Sequence, residues 1–240
     1  MTATSKKIYV PSQGADSWKC LLAEPEEHWK DGKSAKTLAK CWEAATGFPK
    51  SFQKAFCNSQ LEIELLLAIP EFKVALEGKE KSLGKASQSD VFALAHDNRK
   101  NELVVLMVEG KVDEDFGPYV KNWLPKNSDK NSNKPQRLKG ILENLEVERS
   151  AFDDAHIRYQ LLHRTVSALL MAKQFHAKKA MMVVHSFSDK ESPNWDDYQA
   201  FAKLLTGKEP PKNAIVFCEK LSGIDLYIGW VDGEPEYLQS

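Results

Sequence analysis

The pattern of apolar and polar positions divides the chain into short blocks, and the clearest strand signal lies near the middle. Asp90-Val91-Phe92-Ala93-Leu94-Ala95 and Leu103-Val104-Val105-Leu106-Met107-Val108 are apolar runs separated by the wholly polar His96-Asp97-Asn98-Arg99-Lys100-Asn101. The second run is short and rich in β-branched residues, which predicts a strand buried on both faces. A hairpin centred near Arg99 follows from that arrangement. Upstream, Ser34 to Ala45 places Leu38, Cys41, Trp42 and Ala45 at helical spacing, and Gly47-Phe48-Pro49 closes the element. Ser51 to Phe56 opens another helix. Ser59-Gln60-Leu61-Glu62 then has capping-box spacing, which predicts a helix running through Ala68 until Pro70 ends it. Phe72 to Leu76 is strand-like.

Downstream, Leu138 to Glu148 has helical spacing, and Ala155 to His176 is the strongest helix in the sequence. Its largely apolar surface is broken by a polar strip of His156, Gln160, His163 and Ser167. Lys179 to Phe187 predicts a strand, Ser192-Pro193 opens a helix to about Leu205, and 214–218 and 224–231 predict two closing strands. Lys121 to Lys139 is lysine-rich and without periodicity, which predicts a basic loop. The order helix, three strands, long helix, strand predicts one α/β domain over 1–240, a mixed central sheet flanked by helices. Residues 1–50 form an N-terminal helical cap on the same core, anchored by Trp18 and Trp29.

Composition narrows the function classes. The net charge of −1 over 240 residues argues against a strongly basic nucleic-acid coat, so any grip on a polyanion must be local. No apolar run reaches the roughly 18 residues a membrane span needs, and the N-terminus leads into no apolar segment, so a cytoplasmic protein is expected. The 4 cysteines have no C-x-x-C spacing and are expected to be buried thiols rather than a zinc site.

The candidate chemistry lies at the open end of the hairpin. Pairing about Arg99 sets Asp90 across from Val108 to Gly110, beside Glu109, and residues two apart on a strand share a face, so Glu109 and Lys111 project together. Two carboxylates ~4 Å apart repel by roughly 4 kcal/mol at an effective dielectric near 20, so a proton or a cation must sit with them. Hard oxygen donors with room for water suit Mg²⁺ (or Mn²⁺), and a lysine at the rim would steady water and neutralise charge building on a phosphoryl group. Asp113, Glu114 and Asp115 follow closely, as a solvated acidic turn or a second metal site.

Asp90 followed by Glu109-Gly110-Lys111 resembles the PD-(D/E)XK nuclease superfamily, which has a restriction-endonuclease-like fold with an αβββαβ core. The resemblance implies that Asp90 and Glu109 bind divalent metal, that the Gly110 carbonyl adds a ligand, and that Lys111 assists the hydrolytic water. It also implies an acid from the preceding helix, Glu64 with Glu62 second, and a polar residue from the long helix, Gln160 with His163 and Arg164 following. Ser89 stands where the name-giving proline would be. Glu77-Gly78-Lys79 repeats the tripeptide but has no partner strand bearing an aspartate. The blocks RYQLLHR and VVHSFS resemble an uncharacterised bacterial family within the same superfamily. The expected activity is Mg²⁺-dependent hydrolysis of phosphodiesters in nucleic acid, DNA before RNA, with a homodimer as in many restriction-type enzymes. The alternative is a non-catalytic nucleic-acid-binding or interaction protein in which Glu109 and Lys111 form a structural ion pair. Hydrolysis of a small phosphate ester is a weaker third reading, because no Gly-rich phosphate cradle is present.

Overall fold

The computed structural model describes residues 8, 12–78, 81–82, 86–125, 132–152, 156–188 and 193–238. Helices α1 (Pro25–His28), α2 (Ser34–Ala44) and α3 (Lys50–Asn58) lead into strand β1 (Ile63–Val74). A minor two-stranded ladder, β2 (Glu77–Gly78) and β3 (Lys81–Ser82), precedes the central hairpin of β4 (Ser87–Asp97) and β5 (Glu102–Lys111). Then come α4 (Val120–Trp123), α5 (Lys134–Leu145), α6 (Tyr159–Gln174), β6 (Lys179–Ser186), α7 (Pro193–Thr206), β7 (Ala214–Leu221) and β8 (Ile224–Asp232). The main sheet has six strands in the order β1-β4-β5-β6-β8-β7. β1, β4 and β5 are antiparallel, β5, β6 and β8 are parallel, and β7 closes the sheet antiparallel. The expected mixed α/β architecture is present.

β5 explains why helices cover both faces of this sheet. From Val104 to Lys111 every residue is buried, so neither face can meet water. Val105 and Met107 pack under α5, α6 and α7, through Leu138, Ile141, Leu162, Val166, Leu169 and Phe201. Val104, Leu106 and Val108 pack under α2 and α3, with Trp18, Leu38, Trp42, Phe52 and Phe56. The N-terminal elements therefore share the sheet's own core, and Trp18 is buried while Trp29 packs partly against it. Among the described residues no helix is long and apolar enough to cross a membrane.

One expected element is a different one. The predicted helix from Ser59 to Pro70 is the first half of edge strand β1. Helix α3 stops at Asn58 because Gln60 takes a left-handed backbone, φ 56°, with its N–H on Cys57 O and the Leu61 N–H on Phe56 O, a helix-terminating turn. A bulge between Leu65 and Leu67 then shifts the alternation, so the apolar residues 65, 67, 68 and 69 lose the strict period of two that marks a strand. Pro70 is tolerated because β1 is an edge strand of the sheet, where a missing N–H need cost no ladder bond. The predicted basic loop is also shorter than expected. α4 and α5 occupy its two ends, and 126–131 lies outside the described residues.

Candidate functional site

The register of the hairpin positions the site. Asp97 pairs with Glu102 and Val91 with Val108, so Asp90 stands beside Glu109 where the two strands part. The Gly110 N–H donates to Asp90 Oδ2 at 2.7 Å. A Cβ at Gly110 would lie 3.3 Å from that oxygen and 3.2 Å from a methyl of Leu38, so a side chain there would crowd Asp90. Lys111 is buried with its Nζ 3.2 Å from Glu109 Oε1, 3.1 Å from Gln160 Oε1 and 3.2 Å from the carbonyl of Asp115, and 5.0 Å from the centre of the Phe116 ring. Parallel pairing with β6, Glu109 opposite Val184 and Lys111 opposite Ser186, holds this end of β5 straight.

Helix α6 delivers the other half. Gln160 Nε2 donates to Glu109 Oε1 at 2.6 Å. One turn on, Arg164 Nε donates to Glu109 Oε2 at 2.5 Å and its Nη1 to Ser87 Oγ at 2.9 Å. Ser87 also meets His163 Nδ1 at 2.9 Å. Gln160 and His163 of the polar strip, with Arg164 beside them, are thus aimed at the sheet. Ser167 instead returns its hydroxyl to the His163 carbonyl, and exposed His156 meets Lys121 at 3.1 Å.

The acid expected from a preceding helix is not Glu64. Glu64 is exposed on β1 opposite His96, at the turn end of the hairpin, and Glu62 is ion-paired at 2.7 Å with Arg99 there. Because that segment is a strand, it runs along β4 and brings a different acid to the open end. Glu71 falls between the pairs Pro70–Val91 and Phe72–Ser89, level with Asp90, and has a left-handed backbone with φ 53°. A non-glycine residue in that region stores strain, and such strain gathers at functional sites. Gln88 Nε2 donates to Glu71 Oε2 at 2.8 Å. Sequence reasoning missed Glu71 because the bulge hid the strand. The signal that could have found it was the pairing of Phe72 to Leu76 with the residues before Asp90.

These residues line a cleft of about 570 Å³, with Glu71, Asp90, Glu109, Lys111, Gln160 and His163 in its wall and Trp123 at its rim. Its electrostatics are uneven. Burial works against the charge of Glu109, but Arg164 and then Lys111 outweigh it and hold the carboxyl below its ordinary range. Asp90 is pushed well above the carboxylate range, first by burial and then by the charges of Glu109 and Glu71. Glu71 is raised from 4.5 to about 7, chiefly by burial, with the Gln88 hydrogen bond opposing. Burial and the neighbouring Arg164 keep His163 neutral.

The acidic turn after Lys111 is structural. Glu114 accepts the Ser34 N–H at the start of α2 and the Val112 N–H, both at 3.0 Å, and Asp115 accepts the Gly117 N–H at 2.7 Å.

The donors at the cleft are hard carboxylate oxygens, the chemistry Mg²⁺ and Mn²⁺ prefer. Glu71, Asp90 and Glu109 do not bring one oxygen each within 4.8 Å of one another, whereas Cys41, His185 and Glu234 do bring their ligand atoms that close. An ion would therefore take one or two of these acids with water, as magnesium commonly does.

No curated protein and no solved structure matches the chain. The profile of the family described as "Domain of unknown function (DUF6946)" matches residues 11–235, and the chain belongs to that family.

Proposed function

We propose that this chain is a divalent-metal-dependent nuclease of the PD-(D/E)XK kind, hydrolysing phosphodiesters in nucleic acid, DNA first. The observation that carries this reading is the gathering of Glu71, Asp90 and Glu109 about Lys111 in one cleft, with two of the three acids held against ionisation. Acids whose carboxyls are pushed up by burial and by one another's charge mark a place where a cation is wanted. Asp90 and Glu71 would hold Mg²⁺ or Mn²⁺, with Glu109 and the Gly110 carbonyl next to them. The ion, when bound, supplies positive charge to the scissile phosphate and a more acidic water. Lys111 sits where it can hold that water and offset charge on the phosphate oxygens, and Gln160 fixes both Lys111 and Glu109. The rim fits a nucleic acid better than a small ester. Trp123 stacks on Tyr159 at 3.7 Å and lies under Lys134 Nζ at 5.4 Å, which joins an aromatic face for a base to a cation for a phosphate.

A second reading has its own observation. Both oxygens of Glu109 are occupied, by Arg164 on one side and by Gln160 and Lys111 on the other. Such a closed network suits a non-catalytic nucleic-acid-binding or interaction protein.

Incubating the full chain with single- and double-stranded DNA and RNA, with and without Mn²⁺, separates the two. Metal-dependent cleavage that Asp90→Asn abolishes is the expected result, with a matching loss of the Mn²⁺ isotherm in calorimetry. Nucleic acid bound but left intact, with equal isotherms for wild type and variant, overturns the nuclease reading in favour of the binder.

A further inference from the structure

The opposite face of the sheet carries a polar cluster that the proposed reaction does not use. His185 comes from the end of β6, Cys41 from the buried side of α2, and Glu234 from the turn after β8. One ligand atom from each lies within 4.8 Å of the other two. Cys41 Sγ is 3.3 Å from Glu234 Oε2. Ser51, on α3, braces the group. Its hydroxyl is 3.1 Å from His185 Nε2 and 3.2 Å from Glu234 Oε2, and its N–H donates to Glu234 Oε1 at 2.8 Å.

Three features point to an ion rather than to packing. The first is charge: among the described residues no lysine or arginine makes an ion pair with Glu234, although it reaches in between a buried thiol and a buried imidazole. Its charge is met only by hydrogen bonds, from the Ser51 N–H and hydroxyl and from the Cys41 thiol. The second is spacing. With Zn–S near 2.3 Å and Zn–O near 2.0 Å, tetrahedral coordination sets sulfur and oxygen roughly 3.5 Å apart, and Cys41 Sγ and Glu234 Oε2, joined by an S–H···O hydrogen bond at 3.3 Å, need move only slightly to reach it. The third is donor type. Thiolate, imidazole and a single carboxylate oxygen favour zinc over the magnesium expected across the sheet, and thiolate plus carboxylate cancel a double positive charge. A cavity of about 240 Å³, lined by Cys41, Lys50, Gln53, Glu234 and Tyr237, reaches two of the three residues, while His185 lies behind its wall.

A serine nucleophile is the competing account, and the geometry disfavours it. In a serine–histidine–acid triad the acid holds the imidazole nitrogen that faces away from the serine. Here Glu234 meets Ser51 itself, and His185 Nδ1 is buried with no hydrogen-bond partner.

We propose that Cys41, His185 and Glu234 bind one zinc ion, with the Ser51 N–H and hydroxyl holding the Glu234 carboxylate in place and the fourth position left to water. The ion would tie α2, α3, β6 and the turn after β8 together. His185 pairs with Gly110, so the clasp would also brace the strand end that carries Glu109 and Lys111. Its existence does not depend on the nuclease reading.

The test uses the full chain, stripped of metal and titrated with Co²⁺ and then Zn²⁺. The expected result is one Co²⁺ per chain that carries a thiolate-to-cobalt absorption band in the near ultraviolet and is discharged by one Zn²⁺, with any further Co²⁺ in the carboxylate cleft lacking that band. Cys41→Ser should lose the band, Glu234→Gln should weaken zinc at least about tenfold, and Ser51→Ala should weaken it about 10–100-fold. Cys57→Ser, at an exposed thiol, and Asp90→Asn, in the cleft, should leave the band unchanged. Glu234→Gln keeps shape at a half-buried position, so it remains informative where Cys41→Ser does not fold. A wild-type chain that binds Co²⁺ without the sulfur band, or not at all, overturns the proposal. So does a band that survives Cys41→Ser.

Discussion

The two ends of the central hairpin each bury a lysine among acids, and they treat those acids differently. At the turn end, Lys179 Nζ lies 3.1 Å from Asp97 and is hydrogen-bonded to Glu102 as well. Asp97 also accepts the N–H groups of Arg99 and Lys100 at 2.9 and 3.2 Å. Burial opposes its charge, but Lys179 and those backbone donors outweigh it, and Asp97 stays below the ordinary carboxylate range. At the open end the donors are spent on one acid. Arg164, Lys111 and Gln160 all converge on Glu109, while Asp90 has the Gly110 N–H and Glu71 has the Gln88 amide. A buried lysine beside a carboxylate is therefore no sign of a site by itself. What sets the open end apart is that its two remaining acids are left short of positive charge, in a cleft.

The sharpest way to break the comparison is to remove each lysine in turn. Lys111→Ala should lower metal-dependent cleavage by about 100–1000-fold while metal affinity is kept, since removing one charge-stabilising donor commonly has that effect. Lys179→Met should leave cleavage within a few-fold and instead destabilise the fold by about 3 kcal/mol, by stranding the buried Asp97. Single-turnover rates and urea unfolding on the same two variants check both. Equal losses of activity would show that the two ends are alike.

Acidity sharpens it further, because Glu71 at the open end and Asp97 at the turn end respond to pH with opposite signs. Glu71 has a folded value of about 7 against an ordinary 4.5, so its favourable contribution is complete below about 4.5 and is lost as the pH rises through 7. The loss is roughly 3 kcal/mol if that carboxyl titrates alone. Asp97 is depressed, so its contribution is present at neutral pH and lost only as the pH falls below the ordinary 3.8. Glu71→Gln should therefore flatten the decline in stability between about pH 4.5 and 7.5. Saturating Mn²⁺ should flatten it in the wild type too. A decline that is the same in wild type and variant would show that the fold does not hold Glu71 against ionisation.

The open end was legible in sequence where a single local rule decided it. The polar block from His96 to Asn101 centred the hairpin, and that alone put Asp90 beside Glu109 and Lys111 on the face of Glu109. The helical spacing put Gln160 and His163 on one polar strip, and the resemblance to the nuclease superfamily singled out Gln160, with His163 and Arg164 following. His156 and Ser167 of the same strip do not reach the cleft. Glu71 was hidden because a bulge in β1 mixes two phases of alternation, and the capping-like Ser59-Gln60-Leu61-Glu62 favoured helix over strand. The Cys41–His185–Glu234 group was hidden for another reason. Its members are separated by up to 193 positions and meet only after β6 and β8 pair, so no local spacing could announce them.

Ser89 offers the smallest and most specific test of how the open end is tuned. It stands where the resembled motif has proline, and its hydroxyl is fully buried with no hydrogen-bond partner. An unsatisfied buried hydroxyl costs about 1–3 kcal/mol, and deleting it without leaving a large void recovers part of that. Ser89→Ala should thus be neutral or stabilising by up to about 1 kcal/mol in urea unfolding. Its neighbours decide whether it also matters to the site. Ser89 pairs with Phe72, next to Glu71, and precedes Asp90, so it is flanked by both acids that have a hydrogen-bond donor but, among the described residues, no ion-pair partner. If the hydroxyl is idle, metal affinity and cleavage stay unchanged in Ser89→Ala. If affinity falls several-fold while stability rises, the hydroxyl serves the ion or its water, and the buried polar atom is kept at a cost to the fold for that purpose.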